Sequence, residues 1–384
     1  ISAKRLHWRA NMSAENKAFL IAALTGRALA QSARRGGFPV VVLDLYNDLD
    51  THRYAQHSRA VAQHEQGFDA TALLKAADEL CPPQHCAGLV CGSGFEDHPH
   101  LLKQLAAGRP LYGNSAEIVT RIKDPRQFFA LLDELEMAHP EVRFAPPRPA
   151  CGWLAKKIGG YGGTHVLPAA GRQPDGMHYY QKLESGRSMS ATFLADGTKS
   201  HIIGFNEQWT TCAGSPFSYA GAISHAKLDA VLQTEIARKL DQLVQATGLA
   251  GLNGIDFLLR GNEYRVLEIN PRPCATMDLY DADCKEPLFG WHLRACRGEL
   301  PQAQLVTQKI TRGHAVVYAE QTLRIPLDMR FAEWVSDIPG AGKQFAPGAP
   351  LCMVHAQGTS TQQVKRLLIQ RQTVIARAIT EEAA

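Results

Sequence analysis

Two uninterrupted apolar runs near the start, Ala18-Phe-Leu-Ile-Ala-Ala-Leu24 and Val40-Val-Val-Leu-Asp-Leu45, limit what this chain can become. Runs this short with no polar face belong to strands buried on both sides. Between them Thr25-Gly26 opens a helical stretch, Arg27–Arg35, which Gly36-Gly37 closes. A helical pattern follows at Leu73–Leu80, then another strand at Gly88-Leu-Val-Cys-Gly92. The alternation over residues 18–115 predicts an open, parallel, Rossmann-like sheet. Ligands of such sheets lie beyond the carboxyl ends of the strands. Those ends carry Thr25-Gly26-Arg27, the stretch from Asp44 to Thr51, and Gly92-Ser-Gly-Phe-Glu96.

At 384 residues the chain is long enough for two or three domains. A net charge of +4, evenly scattered, argues against a nucleic-acid partner. No window approaches ~18 unbroken apolar residues, so no membrane helix is expected. Residues 1–15 carry charges but no apolar stretch, and read as a polar arm (1–17) rather than a secretory signal. Nine cysteines imply no disulfide framework, and the expected compartment is the reducing cytoplasm. Cys81, Cys86 and Cys91, with His85 between the first two, match neither a zinc nor a ferredoxin spacing and read as free thiols. His165 and His225 read as core or surface residues.

Further along, a helix from Pro125 to Glu136 runs into a Pro-rich connector, Pro140 to Pro149. Residues 151–222 hold short strand-like runs and two Gly clusters. Leu228–Thr247 is an amphipathic helix ending at Gly248. Leu288–Arg297 is helical, and Gly313–Ala384 reads as a Gly/Pro-rich β segment ending in a helix, Thr361–Ala378.

The stretch that carries chemistry is Gly251-Leu-Asn-Gly-Ile-Asp-Phe-Leu-Leu-Arg-Gly-Asn-Glu-Tyr-Arg-Val-Leu-Glu-Ile-Asn-Pro-Arg-Pro273. Two apolar strands flank a Gly-Asn turn, and each carries oxygen-bearing side chains where the apolar pattern should continue. Glu268 and Asn270 share a face. Buried carboxylates ask for cations, and Asp, Glu and Asn oxygens suit Mg²⁺. A hairpin with its polar residues in solvent is the plainer alternative. For Asp256 and Glu268 to reach one metal they must face each other. A three-residue loop, Gly261-Asn262-Glu263, pairs Asp256 with Glu268, Leu258 with Val266 and Arg260 with Tyr264. A two-residue turn at Gly261-Asn262, which local turn chemistry prefers, puts Asp256 opposite Leu267. Metal chemistry favours the longer loop, and a β-bulge restoring the facing would keep Asp256 as a ligand without that loop.

This hairpin resembles the metal-binding end of the ATP-grasp superfamily, through Asp256-Phe257 and Leu267-Glu-Ile-Asn-Pro-Arg272. The resemblance implies an α/β fold (α+β in the central lobe): a Rossmann-like sheet, a two-lobed ATP-binding core and a small C-terminal β-rich lobe. It implies one or two Mg²⁺, with Mn²⁺ as a substitute, on Asp256, Glu268 and Asn270, and Arg272 on the transferring phosphoryl group or acyl phosphate. Trp153-Leu-Ala-Lys-Lys-Ile-Gly-Gly-Tyr-Gly-Gly-Thr-His165 resembles the phosphate-binding strand and Gly-rich lid. Lys156 then supplies a phosphate charge, and Gly159, Gly160, Gly162 and Gly163 allow close backbone approach. A plain loop is the alternative reading of the glycines. His165, inside this lid, keeps a chance of touching phosphate.

Tyr179-Tyr-Gln-Lys-Leu-Glu184 resembles the hinge that holds adenine and ribose, with Gln181 and the backbone at Lys182 and Leu183 on adenine and Glu184 near the ribose. Arg121-Ile-Lys-Asp-Pro125 resembles the segment whose Lys, here Lys123, reaches the α-phosphate. No Walker-type P-loop is present. The implied division is 1–17 arm, 18–120 Rossmann-like domain, 121–190 small lobe with lid, 191–312 large lobe with metal site, and 313–384 C-terminal lobe.

The implied reaction is ATP-dependent carboxylate–amine ligation through an acyl phosphate, with small-molecule substrates, no membrane or nucleic acid, and a homodimer left open. Gly92, Ser93, Gly94, Phe95, Glu96 and Arg272 would frame the acceptor pocket. Phe19–Thr51, ending in Val-Leu-Asp-Leu-Tyr-Asn-Asp-Leu-Asp-Thr, Cys91-Gly-Ser-Gly-Phe-Glu-Asp-His-Pro99 and Asn270-Pro-Arg-Pro-Cys-Ala-Thr276 together resemble a narrower branch, related to ligases that add glutamate to tyramine or tyrosine in methanofuran or methylofuran synthesis, a one-carbon cofactor. Two other classes stay open: a biotin-carboxylase-like enzyme activating bicarbonate, and a non-catalytic ATP-binding regulator.

Overall fold

The computed structural model describes residues 17–64, 67–172, 175–213, 215–306 and 310–381. The expected arm therefore lies outside the described residues, save Lys17. The two opening apolar runs form parallel strands, Ala18–Ala22 and Val40–Asp44, at the centre of a five-stranded sheet. His57–Ala60 flanks them on one side, and Cys86–Cys91 then Leu111–Tyr112 on the other, all parallel. The helix between the first two strands spans Arg27–Arg35. It presses Leu29, Ala30 and Ala33 onto Phe19, Ile21, Val40 and Val42.

A second, antiparallel sheet carries the lid strands in the order Val166–Pro168, Trp153–Lys157, His178–Lys182, Val142–Arg143. The Pro-rich connector thus contributes an edge strand. The third sheet has eight strands, ordered Glu263–Asn270, Ala250–Arg260, Arg187–Asp196, Ser200–Thr211, Ser218–Ser224, Thr311–Tyr318, Pro350–Gly358, Val335–Ser336. Strand Arg187–Asp196 crosses residue 190, and the sheet runs unbroken past residue 312 into the C-terminal segment. Those two points, drawn from the sequence as lobe limits, are therefore not breaks in the backbone ladder.

Helix Ala230–Thr247 lies across this sheet. Asp229 starts it by accepting from the Val231 N–H at 2.8 Å, and Gly248, in the left-handed region at φ 74°, ends it. Leu232, Ile236, Leu240 and Leu243 pack on Phe193, Ile255, Phe257 and Val266. Phe128, Phe129 and Leu132 of helix Pro125–Glu134 enter the same core. The hairpin that carries the acidic residues is thereby clamped from behind by helices. Among the described residues no helix is long and apolar enough to cross a membrane. Cys81, Cys86 and Cys91 are free.

Candidate active site

The hairpin satisfies both turn and metal chemistry, through the β-bulge that keeps the facing while giving up the longer loop. Gly261-Asn262 is a two-residue turn, with Arg260 opposite Glu263 and Leu259 opposite Tyr264. Gly261 takes φ 60°, which only glycine adopts freely. The expected three-residue loop is therefore wrong. A β-bulge between Asp256 and Phe257 then shifts the register, leaving Leu267 as the extra residue, and Asp256 faces Glu268 after all. Gly254 faces Asn270.

Around this pair the side chains converge. Asp256 accepts from Gln208 Nε2 at 2.9 Å and from Asn270 Nδ2 at 3.0 Å. Lys123 Nζ stands 3.1 Å from Glu268 Oε2 and 3.5 Å from Asn270 Oδ1. Burial, then the charge of Glu268, push the Asp256 carboxyl well above the usual carboxylate range. Burial also works against ionised Glu268, but Lys123, Lys156 and His165 outweigh it and hold Glu268 low. Two facing carboxylates, one of them starved of counter-charge, are the electrostatic signature of a cation site. The Lys123 ammonium between Glu268 and Asn270 shows that a cation fits between these oxygens.

Lys156, on strand Trp153–Lys157, donates to Gln181 Oε1 at 3.2 Å and lies over the Tyr179 ring at 5.8 Å. Burial opposes its charge, but Tyr179 and Glu268 keep its pKa above the ordinary value. Gln181 is 2% exposed, and its Nε2 is buried with no partner among the described residues. An orphaned buried donor costs about 1–3 kcal/mol unless a ligand accepts from it. Arg272 pairs with Glu96, Nε to Oε1 2.7 Å, and its Nη2 lies 3.4 Å from Asn270 Oδ1. Glu96 also accepts from the N–H groups of Gly94 and Phe95, at 2.7 and 2.9 Å.

These groups line one cleft of about 930 Å³ between the three sheets. Lys156, Gly162, Gly163, Gln181, Lys182, Leu183, Glu184, Asp256, Glu268, Asn270, Arg272, Gly92 and Ser93 all reach it. Other expected site residues do not line it. Phe95 packs against Phe68 and Glu96 pairs with Arg272, and both line a smaller neighbouring cavity with Gly92 and Arg272. Lys123 lies behind the carboxylates rather than on the open wall. Gly159 makes room for Asp97 and Gly160 for the His165 ring, since a Cβ on either would overlap those groups. Both glycines let the lid seat closely on these groups. Burial, with the Lys156 and Lys123 charges nearby, pushes His165 down to about 4, so it is neutral near pH 7.

At the hinge, the Lys182 N–H bonds to Glu141 O and the Leu183 N–H to Gly152 O, each at 2.8 Å. Neither amide is left to donate to a base. Glu184 pairs with Arg265 at 3.1 Å on the cleft rim. The lid itself is docked: Gly162 O accepts from Tyr219 N at 3.1 Å, and a Cβ on Gly163 would lie 1.9 Å from Phe217 O.

Gln208 escaped the sequence reading. Its signal was available: Asn206 and Gln208 alternate on one face of an apolar strand, as Glu268 and Asn270 do. Where Asp48, Asp278, Asp337 and Lys343 gather in the cleft, only Asp48 lies on a strand end marked in the sequence, and nothing local joins it to the other three.

Comparison with known proteins bears on the same residues. The ATP-grasp domain model matches residues 122–276. Carbamoyl phosphate synthase large chain from Deinococcus radiodurans is 23% identical over 256 residues, covering 60% of this chain and 25% of its own length. That from Vibrio vulnificus is 22% identical over 228 residues, covering 53% and 21%. The chain thus spans about a quarter of these relatives. A biotin carboxylase from Campylobacter jejuni superposes with a TM-score of 0.71 at 13% identity, over 92% of this chain and 90% of the other. An N5-carboxyaminoimidazole synthase from Aspergillus clavatus, solved with ADP and 5-aminoimidazole ribonucleotide, gives 0.68 at 14%, over 95% and 100%. Nearly the whole chain therefore shares the fold of these two structures, and residues 122–276, which hold Lys156, the lid and the acidic hairpin, match the ATP-grasp domain model.

Proposed function

We propose that the chain is an ATP-dependent ligase that joins a carboxylate to an amine through an acyl phosphate. The facing pair Asp256 and Glu268, ringed by Lys123, Lys156 and Arg272 at the floor of a lidded cleft, carries this reading. A carboxylate oxygen attacks the γ-phosphorus of ATP, the bond to the bridging oxygen breaks, and ADP leaves. The amine then attacks the acyl carbon, expelling phosphate and losing a proton. Phosphorylation is needed because a free carboxylate has only oxide to expel.

The protein's part is positioning and charge neutralisation. Lys156 and Arg272 face the phosphates, and the free Nε2 of Gln181 donates to the base. Lys123 balances Glu268 from behind. Mg²⁺ on Asp256, Glu268 and Asn270 would supply the remaining counter-charge to the phosphate oxygens. The docked lid excludes water from an intermediate that hydrolyses readily.

At the finer level, glutamate is the carboxylate and tyrosine or a related aromatic amine the acceptor. This rests on the branch resemblance of Phe19–Thr51, Cys91–Pro99 and Asn270–Thr276 to glutamate-adding ligases of methylofuran synthesis. The test is ATP turnover with glutamate and hydroxylamine, reading hydroxamate and nucleotide products. Glutamyl hydroxamate with ADP and phosphate is expected. AMP and pyrophosphate would mean adenylation and would overturn the mechanism. Turnover that needs bicarbonate and no amino acid would replace ligation with carboxylation.

A further inference from the structure

Five aspartates gather with Arg27 and Lys343 where the Rossmann-like sheet meets the C-terminal segment. Four of them have closed hydrogen-bond accounts. Asp44 accepts from the N–H groups of Gly26 and Asn47, at 3.0 and 2.6 Å. Asp50 accepts from those of Asp337 and Ile338, both at 2.9 Å. Asp278 is paired with Arg27, and Asp337 takes Thr25 Oγ1 at 3.0 Å and Arg27 Nε at 3.3 Å. These are structural contacts that lock the Rossmann-like sheet to the C-terminal segment.

Asp48 is different. It is 4% exposed, it lines the cleft, and no described residue donates a hydrogen bond to its carboxylate. The nearest cation is Lys343 Nζ at 3.8 Å, beyond hydrogen-bond reach. Lys343 also lines the cleft. Its ammonium bonds to Tyr46 O at 3.2 Å and lies 5.2 Å from the Tyr46 ring centre and 5.5 Å from that of Phe345. Burial, then the charge of Asp337, push the Asp48 carboxyl up to about 8, so it becomes a full carboxylate near pH 7 only with a cation bound beside it. Asp48 heads the helix Leu49–Tyr54 without using its side chain as a cap, which leaves no local role for the carboxylate.

A carboxylate and an ammonium thus stand side by side, loosely coupled, each with bonding capacity turned to the cleft. That is the complement of a zwitterion. We propose that Asp48 and Lys343 bind the head group of an α-amino acid substrate, Asp48 taking its α-ammonium and Lys343 its α-carboxylate. Separate charges act on the two carboxyls: Asp337, Lys343, Asp44 and Asp50 on Asp48, but Glu268, Lys123 and Arg272 on Asp256. On the ligase reading, a head group held by Asp48 and Lys343 leaves a carboxylate on the side chain as the group to be activated. This deepens the ligase reading and rests on it for that last step, but the binding site itself does not.

The test is calorimetric binding of the twenty proteinogenic L-amino acids to the full chain with Mg²⁺ and a non-hydrolysable ATP analogue. An acidic amino acid is expected to bind best. Asp48→Asn should weaken it at least tenfold, while glutarate, which lacks the ammonium, should bind weakly and equally to both proteins. Lys343→Gln should weaken glutamate and leave 4-aminobutyrate, which lacks the α-carboxylate, unaffected. Asparagine keeps the helix start, and an unchanged circular dichroism spectrum and melting midpoint certify each variant as folded. No binding by any of the twenty, or equal weakening of glutamate and glutarate by Asp48→Asn, overturns the assignment. Binding that depends on Asp48 without ADP release in any amino acid–amine mixture would instead retain the head-group site and remove the ligase reading.

Discussion

Asp256 and Glu268 face each other across a single hairpin, whereas Asp278 and Asp337 meet on Arg27 across 251 and 310 residues of chain. The two clusters share a cleft and differ in their charge balance. At the hairpin one carboxylate is under-compensated: Asp256 is driven up by burial and by Glu268, while Lys123 and Lys156 hold Glu268 low. At Arg27 the carboxylates are held low, because the guanidinium charge outweighs burial for both Asp278 and Asp337. A strained pair waiting for a cation is a working site. A satisfied one is a clamp between distant segments.

The largest expected effects separate these roles. Asp256→Asn should lower ATP turnover at least about a hundredfold, because metal charge stabilisation is worth several kcal/mol. It should cost little stability, since it removes a repulsion. Arg27→Met should do the reverse where it matters. Arg27 is 3% exposed, and without it Asp278 and Asp337 are buried unpaired, a loss of about 3–5 kcal/mol. Urea unfolding of both variants beside ADP-release assays makes the comparison. An Asp256→Asn protein with full turnover, or an Arg27→Met protein as stable as the parent, would erase the distinction.

The next effect is in pH. A carboxyl whose pKa is raised on folding contributes stability below its unfolded value and loses it as pH rises through the folded one. Asp256 and Asp48 are both raised, and Asp48 reaches about 8. Metal-free protein should therefore lose stability steadily from about pH 4 to about 8. Asp278, Asp337 and Glu268 are lowered and act below that window, losing their contribution only as pH falls. Melting midpoints in chelator across this range check the slope. Asp256→Asn should flatten it, and Mg²⁺ with ATP should do so for the parent. A flat profile in the parent would mean that the two carboxylates are not starved of charge.

The same contrast explains what the sequence reveals. Helix Arg27–Arg35 and the parallel strands are legible because runs of apolar residues and glycine stops act locally. The facing of Asp256 and Glu268 is legible from the chemistry, but its means is not. The bulge at Leu267 satisfies both turn and metal, and no rule of turn propensity reports a bulge several residues away. The sequence reading puts Glu96 and Arg272, 176 residues apart, in one pocket, and the direct ion pair between them, which only the fold forms, is what it does not give. The Asp48–Lys343 couple is hidden for the same reason. Polar residues on strand Ser200–Thr211 were in principle readable, because Gln208 interrupts the face that Asn206 had already marked.

The smallest effect tests the lid against the hairpin, two glycine-bearing turns that use the left-handed region differently. Gly162 and Gly163 have φ 66° and 76°. An alanine at either position costs roughly 1 kcal/mol of backbone strain. Nothing lies within 4 Å of a Cβ on Gly162, whereas one on Gly163 meets Phe217 O at 1.9 Å. Gly162→Ala should therefore keep the lid seated, with its carbonyl still bonded to Tyr219 N, and alter turnover less than about threefold. Gly163→Ala must lift the lid from Phe217. Water then reaches the acyl phosphate, so ADP release should outrun amide formation. The ratio of ADP to ligated product reads this directly. It should stay near one for Gly162→Ala and rise for Gly163→Ala. Equal ratios in the two variants would mean that the lid's seat on Phe217 does not protect the intermediate. At Gly261, where no neighbour lies within 4 Å of a Cβ, alanine should leave the ratio unchanged, because that turn sets register and excludes no water.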